Sequence, residues 1–197
     1  MMAHNPGSLH SNSPMNSLAD LDGLRIRTPT PAVSAVLQHY GGEPVGLPPG
    51  EQYENLQRGT IDGVAIDWYG IGAYHLTEVL QYHYEIPLYT IAFFFAMNQN
   101  TYDTLPDNVR TCVDDLSGQP LAASFGPMWD RWGGVPYAEE EASGDDVIVT
   151  ATPEDIAQAQ ADLAGVTETL LQQVRDAGVD NADEILEALR EAIARYE

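Results

Sequence analysis

The sequence contains no lysine. Its eight basic residues are all arginine, set against 30 acidic residues, for a formal charge of −22. A surface this negative repels nucleic acid and anionic lipid, which argues against both as partners. It suits high salt or an exported, dilute setting alike, and its self-repulsion predicts greater stability where salt screens it. Cysteine is nearly absent. Cys112 stands alone, so no disulfide forms within the chain and no thiolate metal site is available. The histidines His4, His10, His39, His75 and His83 show no zinc-type spacing, and neither a metal nor another cofactor is expected. Long apolar runs are also missing: the longest, Ile86 to Met97, is too short to span a bilayer and contains Pro87. The stretch from Met1 to Gly7 has neither the basic nor the apolar region of a secretory leader, so as written the chain is expected to stay where it is made.

What is present is enough for one good-sized domain, since 197 residues are 44% hydrophobic. Residues 1–18 are rich in Ser, Asn, Pro and Gly and read as a loop or disordered lead-in. Residues 19–150 read as an α/β lobe and residues 151–197 as C-terminal helices. The organising stretch is Leu24 to Trp68. Leu24 and Ile26 alternate with Arg25 and Arg27, which predicts a strand with two cations on one face. Pro29 and Pro31 end it and open a helix over 31–40, closed by Gly41-Gly42. An extended piece over 43–47, a helix over 51–58 and a strand over 61–66 follow. This alternation predicts a mostly parallel sheet flanked by helices, with ligands bound beyond the carboxyl ends of the strands, where Arg27 and Asp67-Trp68 lie.

Further on, a helical turn is expected over 69–74 and strands over 78–84 and 89–97. Tyr89 to Phe95 is almost wholly apolar and reads as a central strand buried on both faces. Leu105-Pro106-Asp107 opens a helix with Val109, Cys112, Val113 and Leu116 on an apolar face, which predicts a buried, inert thiol. The helix over 121–132 must kink or break at Gly126-Pro127. A late strand is expected at 147–149. Thr152-Pro153-Glu154-Asp155 then opens a helix reaching about Ala177, and a last helix begins at Asn181.

At Gly23-Leu24-Arg25-Ile26-Arg27-Thr28-Pro29, preceded by Leu18-Ala19-Asp20-Leu21-Asp22, the chain resembles the solute-binding proteins of tripartite ATP-independent periplasmic (TRAP) transporters. Gly50 to Gly59, Ile61-Asp62-Gly63, Glu78-Val79, Met97-Asn98 and Tyr102 to Pro106 extend the likeness in order. The resemblance implies a type II periplasmic-binding-protein-like lobe, here the second lobe of two with part of the returning segment. It also implies a small organic acid as ligand, delivery to the membrane subunits of a TRAP permease, and a periplasmic location. Leader and first lobe are missing against that pattern, so a truncated chain is expected. The family's ligand-binding arginine corresponds to Arg27, whose guanidinium fork matches a carboxylate; Arg25 reads as structural. Three more ligand contacts are implied. Trp68 either walls the ligand or packs under a loop. Asp67 orients a polar ligand group, binds a cation, or caps the next turn. Thr90, beside Tyr89, falls near a contact position or bonds backbone.

Two other classes compete with a binding protein. An enzyme would need Cys112 activated, or Glu51 and Asp62 paired as acid and base, and nothing in the sequence brings either about. A lone lobe would instead be a non-binding remnant with an exposed apolar face.

Overall fold

The computed structural model of the protein describes residues 2–195. The N-terminal half comprises β1 (Met2–Ala3), β2 (Gly7–Ser11), β3 (Arg25–Thr28), α1 (Pro31–His39), β4 (Glu43–Gly46), α2 (Gln52–Gln57), β5 (Gly63–Ile66) and α3 (Trp68–Ala73). There follow β6 (Tyr82–Tyr89), β7 (Ala92–Phe93), α4 (Gln99–Asp103), α5 (Asp107–Leu116), α6 (Gly118–Ser143) and β8 (Val147–Thr150). Three helices come last: α7 (Pro153–Asp162), α8 (Ala164–Asp176) and α9 (Ala182–Ile193). Two residues of the expected C-terminal segment, 196 and 197, lie outside the described residues.

Six strands form one sheet in the order β4-β3-β5-β2-β6-β8. β3 pairs in parallel with β4 and β5, and β6 in parallel with β8. β2 runs antiparallel to both of its neighbours, β5 and β6. The α/β lobe therefore stands, with its sheet mixed at the centre. The strand that mixes it comes from the stretch read as a loop. All five residues of β2 are buried, and it joins the two parallel parts of the sheet.

Local chemistry explains the flanking elements. Thr30 accepts from the Val33 N–H at 3.3 Å and Pro31 supplies the first turn of α1. Gly41, at φ +80°, closes that helix. Thr152 and Asp155 form a reciprocal capping box at the start of α7. The helix expected to reach Ala177 stops at Leu163 and restarts as α8.

Pleating divides the sheet into two unlike faces. One face is apolar: Leu9, Ile26, Ala65, Tyr84 and Ile86 pack with Val33 and Leu37 of α1 and Ala159 of α7. The other combines Val64 and Ile66 with Trp68, Ile71, Leu76 and Leu56. The pairings Arg27↔Val64, His10↔Val64 and His10↔His83 put Arg27, His10 and His83 on this second face too.

Four further expectations are corrected. In place of strands at 78–84 and 89–97 stand β6, which runs through Pro87, and the two-residue β7. The apolar run after it is not a buried central strand, for Phe94 and Phe95 are 76% and 73% exposed and only Ala92–Phe93 pair, with β1. Cys112 is exposed rather than buried, since α5 has no buried residue. α6 is assigned as one helix with Pro127 and Pro136 inside it.

Candidate functional site

Arg25 and Arg27 project from the same face of β3 and meet opposite fates. The Arg25 guanidinium closes a two-pronged pair on Asp62, Nε to Oδ2 at 2.9 Å and Nη2 to Oδ1 at 2.7 Å, and its backbone N–H donates to the same carboxylate. Those hydrogen bonds hold the Asp62 carboxyl below the usual carboxylate range, against the opposing effect of burial. Arg25 is thus a structural clasp between β3 and the loop entering β5.

Arg27 is buried, 5% exposed, at the carboxyl end of the strand. Its Nε donates to the Leu47 carbonyl at 3.1 Å. Among the described residues it has no ion-pair partner, and its terminal nitrogens make no hydrogen bond. Burial pulls its pKa below the ordinary arginine value. A buried guanidinium without a carboxylate is costly, and an anion that satisfies its fork removes the cost.

Arg27 opens onto a cavity of about 500 Å³. The walls are mainly apolar and aromatic: Tyr69 and Tyr74 follow β5, Tyr89 ends β6, Ile91 and Phe93 come after it, and Trp129 comes from α6. The ring of Trp129 stacks on Phe93 at 5.4 Å and meets Tyr69 at 5.1 Å. Tyr89 reaches back to donate to the Ala65 carbonyl at 3.0 Å, and burial pushes its phenol well up. That reach depends on Gly7, where any Cβ would meet the Tyr89 ring at 2.4 Å.

Asp67 also lines the cavity, and its oxygens are already engaged. Oδ1 accepts from the Gly70 N–H at 3.4 Å, capping α3, and Oδ2 accepts from the Trp129 indole at 3.0 Å. Capping, one of the three roles expected of Asp67, coincides here with a place in the wall. Trp68 lies on the same face of the sheet but points away from Arg27, toward β2 and β6. It meets His83 at 4.9 Å and Tyr137 at 5.3 Å, and borders a separate cavity with Glu85 and Ser8 rather than the one at Arg27. Thr90 is exposed and not part of the wall; its neighbours Tyr89 and Ile91 are. The cavity thus unites Arg27 and Asp67 and leaves out Trp68 and Thr90.

Two lining residues were invisible in the sequence. His4 sits 4.0 Å from Asp67 and accepts at Nε2 from the Ile91 N–H at 3.0 Å. It comes from the segment read as a loop or disordered lead-in. Trp129 lies 62 residues beyond Asp67; the only signal was the Trp129/Trp132 spacing, which puts two indoles on neighbouring turns of α6. Among the described residues no cluster of His, Cys, Asp and Glu could hold a metal ion, and no helix is long and apolar enough to cross a membrane.

Comparison with known proteins adds a lineage to this geometry. Residues 6–173 match the model of the DctP family, bacterial extracellular solute-binding protein, family 7. A TRAP solute-binding protein from Rhodoferax ferrireducens, in complex with copurified benzoate, superposes with TM-score 0.90 at 28% identity over 98% of this chain and 61% of its own. A marine-metagenome TRAP solute-binding protein specific for aromatic acid ligands, holding 3-hydroxybenzoate, gives 0.89 at 28% identity over 99% and 62%. One from Bordetella bronchiseptica, with (R)- and (S)-mandelate, gives 0.82 at 25% over 99% and 62%. The chain therefore spans about three fifths of the length of these structures.

Proposed function

The chain belongs to the bacterial extracellular solute-binding proteins of family 7, and on that premise we propose that it binds an aromatic monocarboxylic acid at Arg27. The observation that carries the reading is a buried, unpaired guanidinium at the end of an aromatic-walled cavity. The guanidinium takes the carboxylate through its terminal nitrogens while Leu47 holds Nε. Tyr69, Phe93 and Trp129 offer ring edges and faces to an aromatic body. The cavity's size is that of a small-ligand site. Asp67 disfavours a second carboxylate near the wall, because two like charges in a poorly solvated space repel.

The benzoate, hydroxybenzoate and mandelate found with proteins of similar structure support the same ligand class. Periplasmic location, and transfer of the acid to the membrane subunits of a TRAP permease, follow from the same family membership and belong to this proposal. Family and structural neighbours are binding proteins rather than enzymes.

Isothermal titration with benzoate, 3-hydroxybenzoate, mandelate and malate tests the reading. The aromatic acids are expected to bind and malate to bind far more weakly. Equal or tighter binding of malate overturns the aromatic assignment.

A further inference from the structure

On the same face of the sheet as Arg27, two histidines lie fully buried side by side. His10 of β2 and His83 of β6 approach Nδ1 to Nδ1 at 2.7 Å. The outer nitrogen of His83, Nε2, lies 3.1 Å from Oδ2 of Asp146, just before β8. The outer nitrogen of His10, Nε2, lies 3.2 Å from the carbonyl oxygen of Ile66, the last residue of β5 and part of the Arg27 cavity wall. The chain therefore runs from Asp146 across β6 and β2 to the rim of the cavity.

Counting protons gives the chain its meaning. Three contacts in series need three protons, because a backbone carbonyl stands at one end and can only accept. Two neutral imidazoles and a carboxylate supply two. With two protons, one contact must set lone pair against lone pair. With three the chain closes, and it carries no net charge, since the Asp146 carboxylate balances the extra proton.

We propose that Asp146, His83 and His10 hold one shared extra proton, and that this proton ties His10 to the Ile66 carbonyl and so positions the wall of the Arg27 cavity. When it leaves, Asp146 keeps the His83 Nε2–H and one proton remains between the two Nδ1 atoms. His10 Nε2 then faces the Ile66 oxygen without a hydrogen, and that contact opens. His10, His83 and Asp146 are positioning residues, since none of them lines the cavity. The consequence for ligand affinity rests on the carboxylate-site reading; the proton chain itself does not.

The surrounding groups set where the proton leaves. Burial pulls both histidines below the ordinary value, His10 further because His83 adds repulsion, while the hydrogen bond to Asp146 pulls His83 back up. The Glu140 carboxyl of α6 is raised, first by burial and then by the neighbouring Asp146. Glu85, on the same face of β6, is raised by burial. Tyr137 of α6 is raised by burial and stays neutral here. Trp68 packs on both imidazoles and carries no charge. The proton is therefore bound at low pH and lost as pH rises through a midpoint below that of a free histidine. A depressed histidine makes folding stability rise with pH from that midpoint up to the ordinary histidine value. Affinity for a carboxylate ligand moves the opposite way, falling as the wall loosens.

Long-range nitrogen spectra of the imidazoles, recorded together with the Ile66 carbonyl carbon over about pH 5 to 8, test the proposal without a ligand. The expected result is two protonated Nε2 atoms and one proton shared by the Nδ1 pair at low pH, with the Ile66 carbonyl moving at the same midpoint. In Asp146→Asn the midpoint is expected to fall by about 1–3 pH units, as loss of a neighbouring opposite charge requires, so that His10 Nε2 is unprotonated over most of the range. An unprotonated His10 Nε2 throughout, or an Ile66 carbonyl that does not follow the histidines, overturns it. Titration with benzoate at the two ends of the range is a separate arm. Loss of affinity at the upper end supports the positioning role, and pH-independent affinity overturns it. Absence of benzoate binding at every pH counts against the ligand assignment and leaves the spectra to decide the proton chain.

Discussion

The two faces of the sheet are built to different rules. One is a continuous apolar layer in which Leu9, Ile26, Ala65, Tyr84 and Ile86 meet α1 and α7. The other buries Arg27, His10, His83 and Asp67 among its apolar residues and adjoins the aromatic cavity. Burial of hydrocarbon stabilises the first in proportion to area. Burial of charge and polar groups weakens the second unless each group finds a partner. Arg27 is the group with no ion-pair partner among the described residues, and the carboxylate proposed above would supply one.

Mutations that separate the faces sharpen the comparison. Leu9→Ala removes a fully buried side chain from the apolar face and is expected to lower stability by about 2–5 kcal/mol in denaturant unfolding, with ligand affinity in the surviving folded protein unchanged. Gly63→Ala strikes between β5 and β2, where a new Cβ would meet the His10 carbonyl oxygen at 2.4 Å. Backbone cannot yield as a side chain does, so a loss of about 1–3 kcal/mol or more is expected by the same measurement. Trp129→Phe keeps a ring in the wall and takes the indole donor from Asp67. A charge-assisted hydrogen bond of order 1.5 kcal/mol is lost, and a weaker fit for aromatic acids should appear in calorimetry.

The smallest effect is expected at the paired arginine. Asp62→Asn breaks the Arg25 clasp without reaching the cavity, so ligand affinity should hold while stability drops slightly. Because Arg25 depresses the folded-state pKa of Asp62, this contribution is complete above the ordinary carboxylate value near pH ~4 and is lost as pH falls through the depressed one. An acid-unfolding profile should therefore be flatter for the variant below that value.

Much of the second half of β3's story was readable in advance, because Leu24 to Trp68 obeys local rules: alternation for strands, Pro and Thr at helix starts, Gly at their ends. The strand β2 was not. Gly7-Ser8-Leu9-His10-Ser11 offers a single large apolar residue, since its inward positions on the second face are Ser8 and His10, which bond to β6 and β5 instead of packing. A strand whose buried face is polar leaves no hydrophobic period to detect. The apolar run after Tyr89 failed in the opposite sense: composition promised burial, and Phe94 and Phe95 lie exposed. The placement of Arg27 and Asp67 at the carboxyl ends of strands was legible, and the two line one cavity. Of the two roles expected of Trp68, the structure shows the packed one: at the start of α3 it lies against the buried histidines, while the N-cap Asp67 faces the cavity. His4 and Trp129 converge only through the tertiary fold, one from the chain's start and the other from a helix far along it.

The central claim is that Arg27 is buried for a ligand rather than for the fold. Titration of benzoate into the wild-type protein and Arg27→Met, with thermal unfolding of both, tests it most directly. The account predicts that the variant loses about 2–5 kcal/mol of binding free energy while its unfolding temperature stays level or rises, because an unpaired buried charge has been removed. Undiminished benzoate binding by Arg27→Met, or loss of folding with the substitution, would contradict it.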